Sequence, residues 1–267
     1  MHKLGFIGLG NMGFSILSGL ISDDNSKEFT FYEISDQIID RIENEYGIKS
    51  ARSLEDLCSN SKYILLAIKP QNYKEIIEQI SDYLNDDSII ITIAPGFSTE
   101  DIKAILGKDF KIVRSMPNTP ALVSEGMSCI SFSDNEFTQS EREDIVNIFN
   151  SCGKVEVIPE NYMDAVVPVS GSSPAYIYIL IEAMADAGVS MGLTRELSYR
   201  LASQAVLGSA KMVIETNRHP AELKDAVCSP GGTTIAAVRE LEKNGFRSSL
   251  IEAMQKAFER GIELKNL

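Results

Sequence analysis

Two kinds of hydrophobic pattern alternate along the first 160 residues of the chain. Stretches such as "DQIIDRIENEY" and "YKEIIEQISDYL" carry apolar residues three or four positions apart, which predicts helices. Between such stretches lie short runs rich in β-branched or aromatic residues and bounded by turns, which predict strands. These runs are "KLGFIGLG", "FTFYE", "YILLAIK", "SIIITIA", "KIVRSMPN", "MSCISFSD" and "GKVEVIP". The alternation predicts an α/β domain over residues 1–160, with a Rossmann-type, mostly parallel sheet covered by helices on both faces.

The pattern changes after Pro159, where the strand-like runs stop. The stretch from Met163 to Gly192 is apolar on nearly all sides, and we expect Pro168 and Pro174 to bend or break its helix. Thr194 is predicted to cap the next helix. Helices that are apolar all round must be buried, and a unit of about a hundred residues has too little interior for them. We therefore predict an all-α dimerisation domain over residues 161–267 that packs against a partner chain.

Composition narrows the classes of function. The 267 residues carry a net charge of −13, which disfavours nucleic acids and anionic membranes as partners. Residues 1–160 hold 14 basic and 26 acidic side chains, whereas residues 161–267 are nearly neutral, with 11 and 12. Four cysteines without a C-x-x-C pair and only two histidines argue against zinc, other metals and a disulfide framework. With no secretory or membrane-length apolar segment, we expect a cytoplasmic protein.

The stretch "GFIGLGNMG" contains the pattern G-x-G-x-x-G at Gly8, Gly10 and Gly13. It follows the first predicted strand and opens the first predicted helix, which is the context of a dinucleotide site. The glycines allow a tight turn and let a pyrophosphate approach the helix N-terminus. The alternative is a turn that only packs.

Glu33 ends the second predicted strand, 20 residues beyond Gly13. An acidic side chain at this place can accept a hydrogen bond from a ribose 2′-hydroxyl. Because a carboxylate would repel a 2′-phosphate, Glu33 favours NADH over NADPH. The alternative is a solvated charge at the end of a strand.

Three further loops carry prolines and small residues at the ends of consecutive strands. They are "AIKPQ" with Lys69 and Pro70, "IAPG" over residues 93–96, and "MPNTP" over residues 116–120 with Asn118. The carboxyl ends of parallel strands share one edge of a sheet, where ligands bind. We expect a flat cofactor to pass over these loops, with Lys69 able to reach a phosphate and Asn118 as a further cofactor contact.

A second glycine-containing loop, "CSPGGTT" from Cys228 to Thr234, precedes a predicted helix in the carboxy-terminal half. Its backbone N–H groups and hydroxyls can bind a small anion at the start of that helix. The alternative is that Ser229 or Thr233 simply caps the helix.

Several stretches of the carboxy-terminal half closely resemble the pyrroline-5-carboxylate reductase family, in particular its bacterial branch. They are "SGSSPAY", "EAMADAGVSMGL", "SAKM" and "DAVCSPGGTTIAAVRELEKNGFR". With "GFIGLGNMG", "AIKP" and "MPNTP", the resemblance covers essentially the whole chain. It implies a Rossmann domain followed by a helical domain that interlocks with a second subunit, and higher assemblies of such dimers. It also implies hydride transfer from NAD(P)H to the C=N bond of 1-pyrroline-5-carboxylate, giving L-proline in the last step of proline biosynthesis.

The resemblance also assigns site residues. It implies that Glu160, Thr233 and Thr234 bind the substrate, to which we add Ser229, Gly231 and Gly232 as donors to its carboxylate. Thr234 can additionally hydrogen-bond the ring nitrogen, which makes it the candidate catalytic residue. The implied nucleotide-binding residues are Ile7, Gly8, Leu9, Gly10, Asn11, Met12, Ala67, Ile68, Lys69, Pro70, Ile93, Ala94 and Pro95.

Reduction of an imine requires chiefly that the protein position the substrate against the nicotinamide. An imine is far more basic than a carbonyl, so its nitrogen can be protonated without a dedicated strong acid. One alternative is a reductase similar to the β-hydroxyacid dehydrogenases, which rely on a helix lysine, but residues 161–210 contain no lysine. The other alternative is a nicotinamide-binding regulatory protein without turnover.

Overall fold

A computed structural model describes residues 2–21 and 26–265 of the chain. The residues fall into two compact units. The sheet unit comprises the residues up to Ser172 together with those from Ala257 onward, and the helical unit comprises Ser173–Lys256. Residues 161–172 thus group with the sheet unit. The predicted domain boundary at residue 160 stays a prediction.

The sheet unit is built on one seven-stranded sheet in the order β2-β1-β3-β4-β5-β6-β7. The strands are β1 His2–Ile7, β2 Phe29–Tyr32, β3 Ser61–Leu66, β4 Ile89–Thr92, β5 Lys111–Met116, β6 Gly126–Phe132 and β7 Gly153–Val157. All neighbours pair in parallel except β5 and β6, which are antiparallel. The chain extends the sheet from β1 to β2 and then continues on the other side of β1 with β3, so the strand order reverses between β1 and β3. Ligands of such sheets bind at that reversal, at the carboxyl ends of the strands.

Seven α-helices lie wholly in the sheet unit among the described residues: α1 Asn11–Leu20, α2 Asp36–Tyr46, α3 Leu54–Asn60, α4 Tyr73–Ile80, α5 Thr99–Leu106, α6 Gln139–Asn150 and α7 Met163–Val166. Their ends follow from local sequence. Ser98 and Thr138 form capping boxes at the starts of α5 and α6. Gly47 and Gly107 adopt left-handed conformations at the ends of α2 and α5. The predicted mostly parallel α/β architecture is confirmed.

Successive residues of the central strands face opposite sides of the sheet and enter two separate cores. Tyr63 and Leu65 belong to the core that includes side chains of α1, α2 and α6. Ile64 and Leu66 belong to the core that includes side chains of α3, α4 and α5. The apolar runs of the sequence are therefore buried on both sides, as expected of a parallel sheet between two helical layers.

The helical unit contains α8 Ser173–Ser190, α9 Arg195–Thr216, α10 Pro220–Val227, α11 Thr233–Lys243 and the first part of α12 Phe246–Lys265. Pro168 lies in a π-helical turn, Val167–Gly171, and α8 starts anew two residues after this turn. The helix is therefore broken, as predicted. The hydroxyl of Thr194 accepts a hydrogen bond from the N–H of Leu197 and caps α9, which is also as predicted.

The side chains buried within the helical unit are small. Ala185 of α8 and Ala202 of α9 are buried. A Cβ at Gly188 would lie 2.6 Å from the hydroxyl of Ser198, so the two helices are in close contact. By contrast, most large apolar side chains of the unit are exposed in the single chain, for example Ile179 at 66% and Met191 at 76%.

The described residues contain no helix that is long and apolar enough to cross a membrane. They also contain no cluster of three or more histidine, cysteine, aspartate or glutamate side chains suited to a metal ion. The four cysteines are free thiols, of which Cys58, Cys129 and Cys152 are buried. Burial raises the pKa of the Cys58 thiol to about 12.

Candidate active site

The first glycine loop lies where the strand order reverses. Gly8 follows β1 and adopts a positive φ of 88°. Its N–H donates to the carbonyl of Tyr32 at the end of β2, at 2.9 Å. On the other side, the N–H of Ala67 donates to the carbonyl of Ile7 at 2.8 Å. The loop is thus fixed between the carboxyl ends of β2 and β3.

The three glycines of this loop have different surroundings. A Cβ at Gly8 would lie 2.9 Å from the carbonyl oxygen of Ala67, and one at Gly13 would lie 2.7 Å from the carbonyl oxygen of Gly8. Protein packing therefore requires both. A Cβ at Gly10 would meet nothing within 4 Å. Gly10 is the N-cap of α1, and in the part of the chain that the structure describes no side chain caps that helix. Its exposed backbone at a helix N-terminus has the geometry that admits a pyrophosphate.

Glu33 lies beside this loop and is held by three backbone N–H groups. One oxygen of its carboxylate accepts from Leu9 at 2.9 Å. The other accepts from Ile34 at 2.8 Å and from Ser35 at 3.2 Å. An ionised carboxylate offers about four acceptor positions, so about one remains for a ribose hydroxyl. Glu33 is hydrogen-bonded rather than freely solvated, and its contact with a cofactor stays a prediction.

The side chains of the other predicted nucleotide-binding residues range from buried to exposed. The side chains of Ile7, Leu9 and Ala94 are buried in the core, so these residues can offer only backbone groups to a cofactor. The backbone N–H of Leu9 is already bonded to Glu33. Met12, Ala67, Ile68 and Ile93 are half-buried, whereas Asn11, Lys69, Pro70 and Pro95 are exposed. The exposed residues are therefore the ones whose side chains are accessible to a ligand.

Asn118 has a buried side chain that joins three segments of the sheet unit. Its amide nitrogen donates to the carbonyl of Ser170 at 3.0 Å, and its amide oxygen accepts from the N–H of Met127 at 2.9 Å. One N–H and one lone pair are left, so most of its hydrogen-bonding capacity holds the protein together. Its predicted contact with a cofactor remains untested.

Glu160 belongs to the sheet unit, whereas the other predicted substrate residues belong to the helical unit. Its carboxylate accepts from the N–H of Thr99 at 2.8 Å and from the hydroxyl of Thr99 at 2.6 Å. Arg114 approaches the same carboxylate at 3.6 Å. Both oxygens of Glu160 are thus engaged at the start of α5, where a negative charge is favourable.

Arg114 is a buried charge that the site prediction missed. Its side chain is 2% exposed, and it pairs with Asp164 at 2.8 Å as well as with Glu160. Its Nε is buried and has no hydrogen-bond partner among the described residues. The sequence does contain a signal, because a single arginine stands inside the apolar run "KIVRSM". Buried charges of this kind are paired when they occur.

The loop before α11 makes a tight turn into the helix, and its predicted binding of an anion stays a prediction. Gly231 has a positive φ of 67°, and the N–H of Gly232 donates to the carbonyl of Ser229 at 3.0 Å. Gly232 is the N-cap, and no side chain among the described residues accepts a hydrogen bond from the first turn of α11. The alternative interpretation, a helix capped by Ser229 or Thr233, is therefore not what the structure shows. Thr233 and Thr234 are the first two helical residues.

These features define a dinucleotide-dependent oxidoreductase with a sheet unit for the nucleotide and a separate helical unit. A family model described as pyrroline-5-carboxylate reductase dimerisation matches residues 160–264, and one described as NADP oxidoreductase, coenzyme F420-dependent, matches residues 3–96. The pyrroline-5-carboxylate reductase of Escherichia coli (strain K12) is 46% identical over 264 residues, 98% of each chain. The chain belongs to the pyrroline-5-carboxylate reductase family.

Solved structures of the same family have a similar fold. The pyrroline carboxylate reductase of Plasmodium falciparum, determined with NADP bound, superposes with a TM-score of 0.87 and 34% identity, covering 99% of this chain and 98% of that one. The pyrroline-5-carboxylate reductase of Coxiella burnetii gives 0.91 and 32%, covering 98% of both. These matches confirm the predicted NAD(P)H-dependent reductase, its nicotinamide cofactor and a self-associating helical domain. The alternative of a β-hydroxyacid dehydrogenase is wrong.

Proposed function

We propose that the chain reduces the C=N bond of 1-pyrroline-5-carboxylate to give L-proline, with the nucleotide on the sheet unit and the substrate carboxylate on the loop Ser229–Thr234. The observation that carries this proposal is the uncapped start of α11 behind two glycines. Its free N–H groups are suited to a carboxylate, because the helix N-terminus carries a partial positive charge.

The nucleotide part rests on the glycine loop and Glu33. A bound reduced nicotinamide supplies the hydride. The open backbone at Gly10 holds the pyrophosphate, and Glu33 accepts from the ribose 2′-hydroxyl. Because its carboxylate would repel a 2′-phosphate, we propose that Glu33 shifts the preference of this chain toward NADH. The relative from Plasmodium falciparum was solved with NADP, so we expect NADPH to be accepted as well.

The substrate part rests on positioning. Gly231 and Thr233 offer donors to the carboxylate, whereas the N–H of Gly232, also predicted as a donor, is already used by the carbonyl of Ser229 and fixes the turn. The hydroxyl of Thr234 hydrogen-bonds the ring nitrogen, which is basic enough to carry its own proton. Glu160 remains a proposed substrate contact, and Thr99 and Arg114 hold its carboxylate in place.

The assembly part rests on the exposed apolar side chains of α8 and α9. We propose that two chains interlock through these helices and that the dimers form a higher oligomer. A family model of dimerisation that covers residues 160–264 supports the first step. We also propose a cytoplasmic location, which the four free cysteines support.

An initial-rate experiment tests this function. Purified protein is mixed with NADH or NADPH, and absorbance of the reduced nicotinamide is followed before and after addition of 1-pyrroline-5-carboxylate. We expect oxidation only after the addition. We also expect Gly10→Ala, whose methyl group meets no protein atom, to bind nucleotide more weakly without loss of folding. A flat trace with intact nucleotide binding would instead favour a regulatory protein without turnover.

A further inference from the structure

A buried tyrosine hydroxyl joins the ends of β3 and β4. Tyr73 is the first residue of α4 and has no exposed surface. Its ring stacks on Phe97, with the ring centroids 4.9 Å apart. The side chain enters the core on the side of the sheet that α3, α4 and α5 cover.

The hydroxyl makes two hydrogen bonds to different strands. It donates to the carbonyl oxygen of Leu66 at 2.6 Å and accepts from the hydroxyl of Thr92 at 3.2 Å. The oxygen of Thr92 in turn accepts from the N–H of Ala94 at 3.3 Å. Leu66 and Thr92 form the last pair of the β3–β4 ladder. The hydroxyl therefore continues the connection between the strands at the point where their own pairing ends.

The two segments that follow these strands are predicted nucleotide loops. Residues 67–70 begin directly after Leu66, and residues 93–95 begin directly after Thr92. Burial raises the pKa of the Tyr73 phenol to about 12, so the group stays protonated and remains a donor at neutral pH. Because it donates to Leu66 and accepts from Thr92 in a buried site of low dielectric, the hydroxyl holds these two partners at a fixed separation.

We propose that Tyr73 is a positioning residue for the nucleotide: its buried hydroxyl sets the spacing of the loops 67–70 and 93–95 without touching the ligand. The inference rests on the proposed function, since it assumes that these loops bind the cofactor. It assigns the role to the hydroxyl alone, because the ring would still fill the core in a phenylalanine variant.

Two tyrosine-to-phenylalanine variants separate positioning from general stability. Tyr63 of β3 is also fully buried, and its hydroxyl donates to Asp144 of α6 at 2.8 Å in the other core layer. Tyr73→Phe and Tyr63→Phe therefore each remove one buried hydroxyl from the sheet unit, but only the hydroxyl of Tyr73 bonds the strand ends that precede the two nucleotide loops. The measurements are NADH titration by fluorescence, thermal unfolding and steady-state kinetics on the full chain.

For Tyr73→Phe we expect both the Kd and the KM for NADH to rise about 5- to 20-fold, the size of one buried hydrogen bond. We expect kcat at saturating NADH and the KM for the imine substrate to change less than about twofold. Tyr63→Phe should lower the unfolding temperature but leave the Kd for NADH unchanged. Thr92→Val should reproduce the loss of NADH affinity. Thr92→Ser, which keeps the hydroxyl, should bind NADH as the wild type does.

The outcomes are distinct. Wild-type affinity in both Tyr73→Phe and Thr92→Val would overturn the inference while leaving the function intact. Equal loss of NADH affinity in Tyr73→Phe and Tyr63→Phe would also overturn it, because destabilisation alone would then explain the result. If Tyr73→Phe does not fold, the NADH affinities of the two variants Thr92→Val and Thr92→Ser test the inference in its place. Failure of the wild-type protein to bind nucleotide would remove the proposed function itself.

Discussion

The two units of the molecule bury their apolar side chains in different ways. The sheet unit encloses large residues such as Phe6 and Phe149 in one core layer and Tyr73 in the other, and its own helices cover both layers. The helical unit buries small residues between α8 and α9 and leaves most of its large ones exposed. The first unit contains its own core, whereas the second presents the surface that a partner chain must cover. The helical unit should therefore depend on association for its stability.

Charge follows the same division. In the sheet unit, the buried Arg114 pairs with two half-buried carboxylates, and the buried Glu141 pairs with Lys62 and Lys111. In the helical unit, pairs such as Lys211 with Glu215 are exposed on both sides. Buried pairs fix a structure, while exposed pairs add little to stability. The sheet unit is thus specified from within by polar as well as apolar contacts.

The largest effect should come from a charge on the exposed apolar surface of α8. Ile179→Asp would place an unpaired carboxylate in the dimer interface, which should weaken association about 100-fold or more. Turnover should fall with dimer content, while NADH binding persists. Val157→Asp makes the same kind of change at an exposed position of β7 and serves as the control. Light scattering and kinetics check both variants; an active dimer of Ile179→Asp would contradict the comparison.

Next comes the loop of the helical unit. Thr234→Ala removes a hydrogen bond to the polar substrate, worth about 1–3 kcal/mol, so kcat/KM for the imine substrate should fall by about 5- to 150-fold. NADH affinity should be unchanged, because the predicted nucleotide residues belong to the other unit. Steady-state kinetics beside an NADH titration checks this. Intact turnover, or a joint loss of NADH binding and thermal stability, would mean that the threonine only supports the helix.

A smaller effect is expected from Glu33, the residue proposed to bind the ribose of the cofactor. Glu33→Ser removes the carboxylate that repels a 2′-phosphate. The kcat/KM for NADH divided by that for NADPH should therefore fall by about tenfold. Asp40→Ser, an exposed acid on α2, controls for the change in net charge. Initial rates with both cofactors at matched concentration give the ratio. The same ratio in the wild type and in Glu33→Ser would remove Glu33 from the site.

The smallest effect compares one ion pair from each unit. Burial opposes ionisation of Glu141, but hydrogen bonds from Lys111 and from the N–H of Thr138 outweigh it and hold the pKa of the carboxyl below its usual range. Lys111→Met should lower the free energy of unfolding by about 1–2 kcal/mol near pH 7. Lys211→Met, in the exposed pair with Glu215, should change it by less than about 0.5 kcal/mol.

The pH dependence of this difference has a definite sign. A carboxyl with a lowered folded pKa stabilises the protein above its unfolded pKa, and this stabilisation disappears as pH falls through the folded value. The gap between the wild type and Lys111→Met should therefore shrink below about pH 4. Denaturant unfolding at several pH values measures it. A gap that is independent of pH would show that Lys111 acts through packing alone.

Sequence reasoning reached local features more readily than long-range ones. The seven strands, the glycine loop and the cap at Thr194 follow from neighbouring residues, and the structure contains each of them. The antiparallel direction of β6 did not follow, because strand periodicity is the same in both directions.

The polar contacts of the site show the same limit. Tyr73 bonds Leu66 and Thr92, and Asn118 bonds Met127 and Ser170. These partners lie between 7 and 52 residues apart in sequence, and no spacing rule connects them. The arginine in the run "KIVRSM" indicates a buried charge but not its partners Glu160 and Asp164.

Following the transferred hydrogen from NADH into the product tests most directly the claim that the chain reduces 1-pyrroline-5-carboxylate. Wild-type protein is supplied with 1-pyrroline-5-carboxylate and NADH that carries deuterium on the transferring face of the nicotinamide, and the product is examined by mass spectrometry. We predict L-proline with one deuterium, on the ring carbon of the former C=N bond, in one-to-one ratio to the NADH oxidised. Oxidation of NADH without labelled proline, or no oxidation at all, would contradict the account.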